Sequence, residues 1–473
     1  NITVDSNASC NGIADGGVTV VANGGTVAVD YTYLWDDPSA QNTASATNLA
    51  AGSYTVIVTD DNGCNTNDNV TISEPDQLFA IPLLVNHVSC NGLSDGSATS
   101  IGVGGTVAAD YTYLWDDPTA QATATATNLA AGTYTITITD DNGCSEDITI
   151  DITQPNALTA THTIDAQVSC FGLSDGQATV TPSGGTNPYT YLWDDPAAQT
   201  TPTATGLAAG TYNCTITDNG AKSWNLNYNE DFNAAIGAEW DDNSTVTYRG
   251  ESVLGEFNVN ATGQPTLSLN GLPAHDSLRV VFEFYAFDTW NGNSTNWGPD
   301  FFTISVDSDT LLHTTFSGRN ATQSYPRNYF SNNPLSTGAI ADSLERLNSS
   351  HDNTIKFFLN YASLHTSNTA TISLTDGLDQ VIGNESWGID NMKVYLFGVN
   401  SLAPCQHVET VVITEPNELD ASAIKNTDVT CFGGNEVSAT GSATGGTVAA
   451  DYQYSWNDPA GQNTAAATGL GAG

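Results

Sequence analysis

Apolar and polar positions alternate with a period of two along most of the chain. Tyr134, Ile136 and Ile138 interleave with Thr135, Thr137 and Thr139, which predicts a strand with one apolar face and one threonine face. Within residues 77–156 the pattern predicts six strands, at 83–89, 97–102, 111–116, 123–127 (the weakest), 133–139 and 148–153. Asp95-Gly96, Gly104-Gly105 and Asp-Asn-Gly at 141–143 supply turns between them. Turn signals every ten residues or so, with no helical period, indicate a β-sandwich. Trp115 on the third strand suits a central core position. Tyr134, like Tyr54 and Tyr212, follows a Gly-bounded corner and suits a tyrosine corner, so the sandwich is expected to be immunoglobulin-like. Read simply as core aromatics, these residues leave the fold class unchanged.

The pattern repeats. CNGLSDGSAT at Cys90 is echoed at Cys10 (CNGIADGGVT), Cys170 (CFGLSDGQAT) and Cys431 (CFGGNEVSAT), at spacings of 80, 80 and 261 residues. YxYxWxDP recurs at 31–38, 111–118, 189–196 and 452–459, and LAAGxY at 49–54, 129–134 and 207–212. Four copies of one unit are therefore present, the third interrupted by a foreign segment. TDDNGC closes a strand at 59–64 and 139–144. The third copy reaches TDNGA at 217–221, and the pattern resumes at Cys405 and ETVVITEP (409–416). The guest thus sits in the turn before the last strand, where insertion is tolerated. The expected domains are 1–76, 77–156, 157–221 joined to 403–417, the inserted domain 222–402, and 418–473. The last lacks two strands, as a fragment of a longer array would, and the absence of a signal peptide suits a mature or internal piece.

In the insert, strands are expected at 278–287, 301–306, 354–359, 370–374 and 392–397, with one helical turn at 342–347. They suggest a larger β-sandwich of jelly-roll type. The whole chain is therefore expected to be all-β: tandem immunoglobulin-like sandwiches with a jelly roll inserted in the third.

Composition narrows the function. Nine Lys+Arg against 52 Asp+Glu give a formal charge of −43, which argues against a nucleic-acid partner. No run of 18 apolar residues exists, so no membrane span is expected. Eight of the nine cations fall in the insert. No HExxH or P-loop occurs, and GxSxG (92–96 and 172–176) falls in a turn between strands rather than at a nucleophile elbow, so no catalysis is expected.

The ordered set SCNGLSDGSAT, GGT, YTYLWDDP, NLAAGTYTITITDDNGC and TQP resembles the SprB-type repeats of giant cell-surface adhesins of gliding and other Bacteroidota. The resemblance covers 1–221 and 403–473. It departs from the pattern where NEV (435–437) replaces SDG and where Cys214 replaces the counterpart of Ile136. It implies a secreted filament on the bacterial outer cell surface, exported by the type IX system, with roles in adhesion and gliding motility. The insert resembles MAM and laminin-G-like jelly rolls through NEDF (229–232), FDTWNGN and WGPDFFTISVD within 287–307, QSYP (323–326) and ESWGIDN (385–391). That resemblance implies a structural calcium ion.

Residue chemistry points the same way. Asp288, Asn291, Asn293 and Asp300 share one Gly-containing loop, and Glu230, Asp231, Glu385 and Asp390 add oxygens from the terminal strands. Calcium takes six to eight such oxygens; the alternative is a solvated acidic turn. Trp290 and Trp297 flank the same loop, suiting either sugar stacking or packing over it. Acidic turns also recur in each complete repeat, in repeat 2 as SDG, WDDP and DDNG, and are either calcium bridges between modules or ordinary turn formers.

Cysteines offer two pairings. Within modules, Cys10 would bond Cys64, Cys90 would bond Cys144 and Cys170 would bond Cys405. If the two turns lie at opposite ends of a sandwich, Cys10 would instead meet Cys144 and Cys90 would meet Cys405, stapling successive modules. Cys214 is expected to be a buried free thiol. The favoured function is a non-catalytic adhesin or filament segment. Its repeats act as a stalk, and its insert projects as a head that binds surface glycans or proteins. A stalk and binding module of a secreted polysaccharide-degrading enzyme is the alternative, and a structural sheath a third.

Overall fold

The structure is a computed structural model. It describes the chain apart from residues 28, 107–109, 249–250, 258–263, 289, 291, 294–298, 318–321, 326–338, 345–353, 379–384, 402, 448–449 and 472–473. Every regular element among the described residues is a strand. None is a helix long and apolar enough to cross a membrane. Contacts divide the chain into two units. One comprises Asn1–Val88, Gly92–Thr153 and Lys222–Leu402; the other comprises Ser89–Asn91, Gln154–Ala221 and Ala403–Gly473.

Each complete repeat is two three-stranded antiparallel sheets. In repeat 2, Gly96–Gly105 lies between Asp76–Asn86 and Thr125–Leu129, while Gly132–Thr139 lies between Thr112–Trp115 and Ser145–Ile152. The period-two pattern sends Ile136 and Ile138 inward, where they meet Trp115, Ala98, Ala126, Leu129, Ile150 and Ile152. Trp115 is 1% exposed, and its indole N–H donates to the Thr123 carbonyl at 2.9 Å. The Tyr134 hydroxyl donates to the carbonyl of Ala130, four residues upstream, and Tyr54 and Tyr212 do the same to Ala50 and Ala208. This is the tyrosine corner of an immunoglobulin-like sandwich. The repeats are tandem immunoglobulin-like sandwiches.

In repeat 3 the strand Gly210–Thr217 pairs with Gln406–Ile413 across the insertion. Cys214 stands opposite Trp193, as Ile136 stands opposite Trp115. It is buried and unbonded, and burial pushes its thiol up to about 11.

The insert is a two-sheet sandwich. The larger sheet runs Thr245–Tyr248, Glu251–Phe257, Glu385–Ser401, Ser277–Asp288, Thr354–Leu364, Ala339–Leu344, with Lys222–Glu230 also paired to Glu385–Ser401. The smaller runs Thr266–Asn270, Thr369–Gly377, Phe301–Val306, Asp309–Thr315. Phe284 lies in the shared core, its ring within 4.2–6.4 Å of Phe302, Phe316, Trp290, Trp387 and Phe357. The expected helical turn at 342–347 is instead strand through Leu344, because that segment pairs with Thr354–Leu364; its last three residues lie outside the described residues. Entry and exit strands are neighbours, with Lys222 opposite Ser401, so the guest needs only the width of one turn in its host.

Candidate functional site

Two features serve no repeat in isolation: the cysteine joints and the outer face of the insert. At the first joint, Cys10 bonds Cys144 with a Cα separation of 5.8 Å. The side-chain amide of Asn142 donates to the Ser9 carbonyl at 2.9 Å, so the last turn of repeat 2 grips the first turn of repeat 1. In the second unit, Cys90 bonds Cys405 with a Cα separation of 5.6 Å.

Pairing within modules is therefore wrong, and strand length gives the reason. The Gly12 N–H and Asn11 amide reach Glu74 and Pro75, which fixes the Cys10 turn just past the end of Asn65–Ile72. Cys64 precedes the start of that same strand. Eight residues of strand separate the two ends by about 25 Å, against the roughly 7 Å a disulfide permits. Cys64 and Cys170, both expected to be bonded, are free and exposed.

The acidic turns are backbone anchors. The Asp140 carboxylate accepts the N–H groups of Asn142, Cys144 and Thr106. Asp60 does the same with Asn62, Cys64 and Thr26. In repeat 3, Asp218 accepts from Cys405, Gly220 and Thr186, so the turn keeps its cradle although the insert interrupts it. In WDDP, Asp116 accepts the Thr135 N–H and Asp117 accepts those of Thr119 and Gln121. These carboxylates do the ordinary work of turn residues, accepting the N–H groups of their own turns.

The insert's larger sheet has a second buried face. Val281 and Tyr395 pack with Leu83 of repeat 2, flanked by Leu84, Ile101, Trp224 and Phe358. Arg279 donates to the Leu83 carbonyl at 2.6 Å while its guanidinium lies 4.3 Å over the Trp224 ring. Its burial lowers its pKa. The Trp224 N–H donates to Asn86 at 2.9 Å. The guest thus does not simply project outward; it is docked on repeat 2. Sequence carried the signal. At the 80-residue offset of the repeats, Leu83 and Ile101 align with Thr3 and Val21 of repeat 1 and with Thr163 and Thr181 of repeat 3, and Leu83 falls where its strand shifts register.

The calcium candidates fall into two places. Asp288 and Glu385 are directly opposite in register, next to the loop that holds Asn293 and Asp300. Asp390 lies five residues further along the strand, about 16 Å away, and Glu230 pairs beside it, opposite Met392. Glu230 and Asp231 accept the N–H groups of Phe232 and Asn233. One ion cannot take all eight residues. At the loop end, Asp300 and Glu385 are fully buried, and the Asn293 amide oxygen accepts from Thr315 and Ser324. Among the described residues no group of three or more His, Cys, Asp or Glu is arranged to hold a metal. Asn291 and Trp297 lie outside the described residues. Trp290 is fully buried, donating to the Ser386 carbonyl at 2.8 Å and set edge-on to Phe284.

The model of the SprB repeat fits residues 2–40, 165–198 and 424–461. The chain carries SprB-type repeats. The matched stretches hold the first-turn cysteines Cys10, Cys170 and Cys431 and the WDDP or WNDP turns. No curated protein matches the chain. Among solved structures, the tetra-tandem repeat in the extending region of a large adhesion protein is 14% identical, with 80% of this chain and 98% of that one covered and a TM-score of 0.19. Dpr2 Ig1-Ig2 in complex with DIP-Theta Ig1-Ig3 is 9% identical over 46% and 96%, TM-score 0.18. The N-terminal eight Ig domains of Down Syndrome Cell Adhesion Molecule are 9% identical over 93% and 62%, TM-score 0.19. These global likenesses are slight, and the assignment of the SprB-type repeats as sandwiches rests on their own strands and registers.

Proposed function

We propose that this chain is a non-catalytic stretch of a cell-surface adhesin. Its SprB-type repeats form a covalently jointed stalk, and its insert is a head that contacts surface glycans or proteins. The observation that carries the reading is the disulfide placement. Both bonds join cysteines of successive repeats rather than closing a single core, a design that suits an oxidising, extracellular setting. The repeat family and the acidic surface support it. A structural calcium at the loop end, with Asp300 and Glu385 as candidate ligands, belongs to the same proposal; it would pin the loop through hard oxygens.

Beads coated with the whole chain, passed over surfaces displaying glycans or proteins, are expected to be retained without turnover of any polysaccharide. Absence of retention on every surface, or cleavage of a glycan, overturns the adhesin reading. In the calcium arm, chelator is expected to lower the unfolding temperature of the same preparation. An unchanged temperature removes calcium from the proposal.

A further inference from the structure

The two disulfides overlap in sequence. Cys10–Cys144 closes a loop over residues 10–144, and Cys90–Cys405 closes one over 90–405. The whole of Lys222–Leu402 lies inside the second loop.

Resting on the stalk reading above, we propose that this overlapping pair carries tension past the inserted sandwich, so that pulling along the array does not load the guest. The route follows from covalent connectivity. A force applied at Asn1 reaches Cys10, crosses to Cys144, runs back through repeat 2 to Cys90, crosses to Cys405 and leaves along the last repeat. Strand pairing around the route is noncovalent and gives way first; the two S–S bonds do not. The guest hangs off this route. Its entry and exit strands are paired at Lys222 and Ser401, and the turn that receives them is held by the Asp218 carboxylate through the N–H groups of Gly220 and Cys405. A head arranged in this way stays folded while its stalk is stretched.

The two bonds are not equivalent, and that makes the proposal specific. With both intact, only about 130 residues lie on the taut path, which at ~3.3–3.6 Å per residue reaches about 450 Å, against about 1,600 Å for the reduced chain. Losing Cys10–Cys144 alone lengthens the taut path only ~1.2-fold, to about 160 residues, because Cys90–Cys405 still excludes the guest. Losing Cys90–Cys405 alone lengthens it ~2.6-fold, to about 340 residues, because the guest now lies in series.

The test holds the complete chain by its two ends in a force spectrometer. Unreduced protein is expected to stop near the short limit with no unfolding step from the guest. Cys10→Ser is expected to stay close to that limit, and Cys90→Ser to extend well beyond it. Reductant on the unmodified chain gives the full length and covers the case in which a serine variant folds poorly. Equal extension with and without reductant, or equal extension of the two variants, overturns the proposal. Bead retention is measured separately. Its loss sinks the adhesin reading while leaving the tether result standing.

Discussion

Asp117 shows what a repeated aspartate does at the scale of one residue. Burial opposes its ionisation, but the Thr119 hydroxyl, the Gln121 N–H and side-chain amide and the Thr119 N–H all donate to it and hold its carboxyl down to about 2. Asp37, Asp195 and Asp458 occupy the same turn and are lowered likewise. A depressed pKa stabilises the fold above the ordinary carboxylate range, and that contribution is lost as pH falls through the folded value. Hydrogen exchange of residues 117–127 is therefore expected to quicken as pH drops from about 4 to about 2, after correction for intrinsic rates. In Asp117→Asn it is expected to be fast already at neutral pH and nearly flat across that window. A variant with the wild-type pH slope would show that the carboxylate is not the anchor. The Asp-Pro turn was legible from residue type alone. The four-donor anchor was not, because its donors converge only once the turn closes.

At the scale of elements, alternation located each strand of repeat 2, but pairing set the ends. Gly96–Gly105 runs three residues past its predicted end because Asp76–Asn86 lies beside it. The strand Glu385–Ser401 begins seven residues before the predicted stretch, interrupted by a register shift beside Asn391, which sits at positive φ and changes which residues face the core. A bulge of this kind breaks the period-two signal on which the expectation rested. Docking of the guest was missed for a different reason. It depends on comparing one repeat with its siblings, where Leu83 replaces threonine. Returning that residue to the sibling type, Leu83→Thr, removes apolar contact with Val281 and Tyr395 while leaving the repeat's own core intact. A cost of about 1–2 kcal/mol at that contact is expected. Hydrogen exchange is expected to rise in Asp76–Asn86 and along the outer face of Ser277–Asp288, with Gly132–Thr139 unchanged. Uniform loss of protection throughout repeat 2 would contradict this, by making Leu83 a residue of the repeat core.

For the whole molecule the charge of −43 raises the question of what opposes it. Among the described residues, cations do so where Lys356 pairs with Glu283 at 2.7 Å, Lys222 with Asp276 and Lys425 with Asp428. Elsewhere the turn carboxylates are met by backbone N–H groups, which satisfy their hydrogen bonds without cancelling their charge. Folding therefore gathers like charges into a smaller volume, and self-repulsion works against it. Salt shortens the reach of that repulsion, from about 10 Å at 0.1 M to about 3 Å at 1 M, whereas ion pairs, which salt would weaken, are bounded by the 9 Lys+Arg set against 52 Asp+Glu. Stability is thus expected to rise with sodium chloride between about 0.05 and 0.5 M, opposite to the trend of a protein held by surface ion pairs. Calorimetry across that range, with calcium chloride at matched ionic strength as a second series, separates screening from a specific ion. Coincident curves assign the whole gain to screening, and an extra rise with calcium assigns part of it to a site. A melting temperature that falls with added sodium chloride would mean that the ion pairs outweigh the repulsion of the rest.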